Sequence, residues 1–129
     1  MFRTIHVAIP VRSLEASREF FRILFRANVI IDDPVRRCCT VAYDRFEFSL
    51  FELPDFDWAS RKLGPFHLGH EVTSRADVDA IYLRAKTMGC AIKCEPFDRD
   101  DGDYAFFLTD ADGLVFEFFH GGHHLARKG

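Results

Sequence analysis

Two stretches of helical spacing interrupt a chain that otherwise alternates between apolar and polar positions. In the first, Leu14, Phe20, Phe21, Leu24 and Phe25 recur at helical intervals; in the second, Val78, Ile81, Tyr82, Ala85 and Met88 do the same. Ser13 and Ser74 precede them as N-caps, and Ser74-Arg75-Ala76-Asp77 has the shape of a capping box. Around the helices lie short β-type runs: "IHVAIPV" ahead of the first, then "NVIID", "RCCTVAYD" and "FEFSLFEL"; "FHLGHEV" ahead of the second, then "AIKCE", "DYAFFLTD" and "LVFEFFH". Asp32-Asp33-Pro34, Asp44-Arg45, Asp100-Asp101-Gly102 and Asp112-Gly113 punctuate them as turns.

The two halves repeat. An offset of 61 carries His6 onto His67, Ser13 onto Ser74, Phe20 and Phe21 onto Ile81 and Tyr82, and Asn28 onto Gly89, the two residue types most tolerant of a left-handed helix stop. Each half therefore reads strand, helix, strand, strand, strand. The second half carries extra residues before its last hairpin, so that Asp112 falls on Asp44. The expected organisation is one domain over residues 1–129, with a first module at 1–53, a linker at 54–65, a second module at 66–120 and a loose tail at 121–129. His120 is read with His123 and His124 as part of a frayed tail.

Alternation sorts each strand into two faces. His6, Ala8 and Pro10 share one face, as do His67, Gly69 and Glu71, while the opposite, mainly aliphatic faces are natural seats for the helices. The histidines then look toward whatever the sheets enclose. In the last strand Val115, Glu117 and Phe119 form one set and Leu114, Phe116 and Phe118 the other. An ionised carboxylate among these phenylalanines costs several kcal/mol unless paired or coordinated. Something must meet Glu117. Two imidazoles and one carboxylate form a recognised site for a divalent metal, including iron(II). A lone strand histidine is more often a core or rim residue, so the pairing with Glu117 is what makes the metal reading worth testing.

Composition narrows the partners. The chain has 48% hydrophobic residues, 15 phenylalanines and a formal charge of −3, which fits a globular domain with an aromatic pocket and argues against nucleic acid or an anionic membrane held by bulk charge. No run approaches the apolar length of a membrane span, and the start lacks a signal-peptide pattern, so a cytoplasmic location is expected. Cys38, Cys39, Cys90 and Cys94 show no zinc spacing and read as reduced thiols.

The stretches "IHVAIPVRSLEASREFF", "FHLGHEV" and "FFLTDADGLVFEFF" resemble the vicinal oxygen chelate superfamily, which includes glyoxalase I, extradiol dioxygenases, fosfomycin-resistance proteins and bleomycin-resistance proteins. The resemblance spans residues 4–120. It implies an α+β fold in which two tandem βαβββ modules form a barrel-like cup of mixed sheet with helices outside and a metal at the floor. By position it implies His6, His67 and Glu117 as ligands of a divalent ion, whether Fe2+, Mn2+, Zn2+ or Ni2+. At the fourth ligand position Ser49 falls opposite Glu117, and serine is a poor ligand; a slip of the hairpin would substitute Glu47 or Phe51, and Glu52 lies on the other face. A three-ligand site fits the chain as written.

The implied function is a metal-dependent enzyme that holds two adjacent oxygens of a small, partly apolar substrate, with Glu47 or Glu71 as the base beside the metal. Phe51, Phe107, Thr109, Val115 and Phe119, with Ala105, are expected to line the cup, and Arg37 is a candidate for a substrate carboxylate, though a solvated edge arginine is the plainer reading. His70 is expected to be a buried structural residue, and Tyr43 and Tyr104 to pack. The alternative is a metal-free protein that sequesters a drug, as bleomycin-resistance proteins do. A homodimer is expected from the resemblance alone.

Overall fold

The computed structural model describes residues 1–59 and 63–121. The chain divides into two compact units, Met1–Arg61 and Lys62–Gly129.

The first unit opens with β1 (Ile5–Val11), followed by α1 (Leu14–Leu24), β2 (Asn28–Asp33), β3 (Cys38–Tyr43) and β4 (Phe46–Glu52). Ser13 starts α1 as its sequence suggests, its hydroxyl accepting from the Ala16 N–H at 3.2 Å. The strands pair in the order β1-β4-β3-β2, with β1 parallel to β4 and the two hairpins antiparallel. The α1 crossover therefore carries the chain from one edge of the sheet to the other.

Register decides which side chains share a face. Val7, Phe48 and Val41 lie in one row, and Ile9, Leu50 and Cys39 in the next. This is the α1 face: the Phe48 ring sits 4.8 Å from that of Phe21, and both are buried. The facing rows, His6-Glu47-Ala42, Ala8-Ser49-Thr40 and Pro10-Phe51-Cys38, point away from α1.

The second unit repeats the plan with β5 (Leu68–Glu71), α2 (Arg75–Met88), β6 (Ala91–Asp98), β7 (Asp103–Thr109) and β8 (Val115–Gly121), ordered β5-β8-β7-β6. Ser74 caps α2 by accepting from the Asp77 N–H at 3.1 Å. Phe106 and Phe118 stack at 5.2 Å on the α2 face, with Tyr82 of the helix edge-on to Phe106. His70 lies on this face too, stacked on Phe118 at 5.2 Å, where burial holds its pKa below the usual histidine value.

Four expectations need correction. Each sheet is an open four-stranded array with β1 and β2, or β5 and β6, at its edges, so neither closes into the expected barrel-like cup. The expected cup needed the strands of both modules in one closed array, whereas among the described residues hydrogen bonding joins them only within two separate four-stranded sheets whose edge strands stay unpaired with each other. The left-handed residue after α1 is Arg26 (φ 54°), two positions before Asn28, which already belongs to β2; in α2 the stop is Gly89 (φ 80°) as its type suggests. β5 begins at Leu68, so His67 precedes the strand instead of standing within it. His120 is no frayed end: it belongs to β8, and its Nδ1 donates to the Val72 carbonyl at 3.0 Å. His123 and His124 lie outside the described residues.

At the start of α1, Glu52 accepts from the Leu14 N–H at 2.8 Å and from the Arg37 guanidinium at 2.8 and 3.0 Å. Those contacts, Arg37 first, hold its carboxyl below the usual glutamate value. Because the folded value is the lower one, this contribution is present above the ordinary value of 4.5 and is lost as pH falls through the depressed folded value. Glu52→Gln is therefore expected to flatten the acid limb of the stability curve, read as urea midpoints between pH 6 and 3. An unchanged limb would assign acid sensitivity elsewhere.

Candidate functional site

Glu117 stands near the middle of β8, and its side chain is 8% exposed. Its row across the sheet runs Gly69-Glu117-Phe107. Glycine opposite the carboxylate matters, because a Cβ at Gly69 would lie 3.2 Å from Glu117 Oε1 and 3.4 Å from the Phe119 ring. The missing side chain leaves room for the carboxylate to turn toward the start of β5.

There it meets His67. Nε2 of the ring lies 3.2 Å from Glu117 Oε1, while Nδ1 lies 2.9 Å from the Pro65 carbonyl oxygen. A carbonyl only accepts, so Nδ1 carries a proton. In the neutral ring Nε2 is then a lone-pair nitrogen facing a carboxylate oxygen. Two acceptors at that distance call for a positive centre, either a second ring proton or a cation held by both.

The other oxygen is also engaged. Arg99 Nη1 donates to Glu117 Oε2 at 2.9 Å, with Arg99 Nε 3.5 Å from Asp101 and its guanidinium 5.9 Å from the centre of the Phe107 ring. Arg99 follows β6 in the turn toward β7 and borders a shallow depression of about 630 Å³ lined by Phe97, Asp98, Asp100, Asp101 and Phe107. Sequence reading missed this residue. The one available signal was the demand for a cation at Glu117, which the aspartate-rich turn "DRDDGD" could have answered.

The first unit handles the equivalent positions differently. Ala8 pairs with Ser49 where Gly69 pairs with Glu117, so the register places Ser49 opposite Glu117 in the repeat. Ser49 is buried, and its hydroxyl shares a 2.8 Å hydrogen bond with Thr40. The carboxylate of this sheet stands one position pair earlier: Glu47, directly across from His6, places Oε2 3.3 Å from His6 Nδ1.

The remaining predicted residues are distributed as follows. Val115 and Thr109 form one row, and Glu71, Phe119 and Ala105 another, on the same face as Glu117. Phe51 shares the face of His6 in the first unit and is exposed. The Arg37 guanidinium is held by Glu15 and Glu52 at the start of α1. Tyr43 stacks on Phe25 at 4.5 Å, burial raising its pKa, and Tyr104 donates to Asp79. All four cysteines are free thiols.

Residues 3–118 match the model of the Glyoxalase/Bleomycin resistance protein/Dioxygenase superfamily. The chain belongs to this superfamily. Among solved structures, a superfamily enzyme from Burkholderia phytofirmans PsJN is 20% identical, with 89% of this chain and 95% of that one covered at a TM-score of 0.75. A fosfomycin resistance protein from Mesorhizobium loti is 17% identical over 95% of each chain, TM-score 0.76. A lactoylglutathione lyase from Agrobacterium tumefaciens is 18% identical over 92% of this chain and 93% of that one, TM-score 0.71. These likenesses establish the superfamily fold. No curated protein matches the chain. Among the described residues no helix is long and apolar enough to cross a membrane.

A metal is implied by the resemblance, and the residues can be tested against it. Among the described residues no three His, Cys, Asp or Glu side chains gather as a metal-holding group. His67 and Glu117 nevertheless fit as a pair of donors: the Pro65 carbonyl fixes the ring tautomer that leaves Nε2 free to ligate, and the buried carboxylate faces that nitrogen.

The contact across β5 and β8 can be checked by substitution. Gly69→Val is expected to cost about 1–3 kcal/mol by crowding Glu117 and Phe119. Combined with Glu117→Ala it should cost less than the sum of the single changes, as measured by urea unfolding. Additive values would mean that the new side chain does not meet the carboxylate.

Proposed function

We propose that the protein is a divalent-metal-dependent enzyme of the glyoxalase or extradiol-dioxygenase type, acting on a small, partly apolar substrate through two adjacent oxygens. His67 and Glu117 serve as ligands, with His6, from the same chain or from a second copy in a homodimer, as the third. The observation that carries this reading is the orientation of His67, whose Nδ1 proton is committed to Pro65 while Nε2 faces the Glu117 carboxylate. When bound, the ion (iron, manganese, zinc or nickel) supplies Lewis-acid stabilisation of charge developing on the substrate oxygens.

The chain's own groups do the rest. Phe107, Phe119, Val115 and Thr109 share the Glu117 face, and their mostly apolar surface suits a ring or alkyl group and helps to exclude water. Glu47, 3.3 Å from His6, and Glu71, on the face of Glu117, are the carboxylates proposed to take a proton from substrate. Ser49 contributes no ligand in this reading, because its hydroxyl is engaged by Thr40.

A second reading, metal-free sequestration of a small molecule, is favoured by one contact. Arg99 already sits 2.9 Å from Glu117 and compensates its charge without any ion. Elemental analysis of untagged protein purified without added metal separates the two. The enzyme reading expects a stoichiometric transition metal that falls below about a tenth of that level in His67→Ala, since each ligand lost costs at least as much as an outer-shell partner, about 10–100-fold. A metal-free protein that takes up an aromatic drug tightly, unaffected by His67→Ala, overturns it.

A further inference from the structure

Arg99 has no place in the ligand set or among the proposed bases, yet among the described residues its side-chain contact with the Glu117 carboxylate, at 2.9 Å, is shorter than that of His67 at 3.2 Å. We infer that Arg99 is a resident counter-ion: its guanidinium occupies the buried carboxylate in the metal-free protein, and a divalent ion must compete with it. The inference rests on the metal reading above.

Burial, reach and a second anion all favour this role. The Glu117 side chain is 8% exposed, so the ionised carboxylate without a cation would carry a large desolvation cost. Arg99 comes from the turn after β6 and is 36% exposed, so it can swing away without disturbing the sheet. Asp101, 3.5 Å from Arg99 Nε, gives the guanidinium a second anion to hold when it leaves Glu117. A guanidinium on a carboxylate also weakens that carboxylate as a donor to any other cation, because it already occupies an oxygen lone pair and offsets the negative charge. Arg99 therefore sets a threshold for metal uptake and protects the fold below it.

The test is competitive titration of Zn2+ and Mn2+ against a chromogenic chelator, together with thermal unfolding with and without saturating metal. Arg99→Gln should bind the ions about 10–100-fold more tightly than wild type, the range over which outer-shell groups change metal affinity. Without metal it should melt lower, by several degrees, with the gap closing at saturation. Arg99→Lys keeps the charge and should stay near wild type. Asp101→Asn removes the alternative anion and should weaken binding, an opposite sign that a merely structural role would not produce, and it tests the idea should Arg99→Gln fail to fold. If wild type and variants load metal with equal affinity, or Arg99→Gln binds more weakly, the counter-ion inference is overturned while the metal site stands. If none of them takes up either ion, the metal reading falls and the inference with it.

Discussion

A carboxylate placed in the middle of an aromatic strand has to be compensated, and the second module is arranged around that demand. Moving an ion of this size out of water costs several kcal/mol even after relaxation, which is a large share of the stability of a small domain. The neighbours of Glu117 answer it from three directions. Gly69 supplies space across the strand pair, His67 presents a nitrogen from the residue just ahead of β5, and Arg99 supplies a full positive charge from the β6–β7 turn. None of the three would be needed if position 117 were apolar like Phe116 and Phe118.

The same frame solves a different problem in the first module. Its sheet has the same strand order and the same parallel pairing of first and last strands, so its side chains fall into the same rows. Yet the carboxylate is shifted to Glu47, beside His6 and 33% exposed, and the central position carries the buried Ser49. A serine bonded to Thr40 is satisfied by a single neutral contact. Packing toward the helices, by contrast, is shared by both modules: Phe48 on Phe21 in one, and Phe106 beneath Tyr82 in the other. Duplication has preserved the helix-facing core and let the opposite faces diverge.

Much of this could be read from the residues. Ser13 and Ser74 announced the helix starts because their hydroxyls answer free backbone N–H groups, and period-two alternation placed His6 and Glu117 away from the helices. The alignment of Ser49 with Glu117 followed from matching Asp44 to Asp112, and the register agrees with it. Features set by turn geometry or by tertiary partners were not legible. Arg26 adopts the left-handed stop that an asparagine two residues later suits better, and His67 stands ahead of its strand because Gly64 and Pro65 delay pairing. Arg99 belongs to no periodic pattern, so nothing in its spacing tied it to a residue 18 positions away. Closure of a sheet is likewise a property of strand number and edge pairing, which alternation does not encode.

The Thr40–Ser49 pair has a consequence for how the two halves respond to their surroundings. Two hydroxyls neither gain nor lose charge across the acidity range of a cell, and they hold divalent ions poorly. At its central position the first module is thus electrically silent, while the second carries an ionisable, cation-seeking group at the matching point. A cation arriving at this position would find a charged partner in one half of the duplicated chain and a pair of neutral hydroxyls in the other.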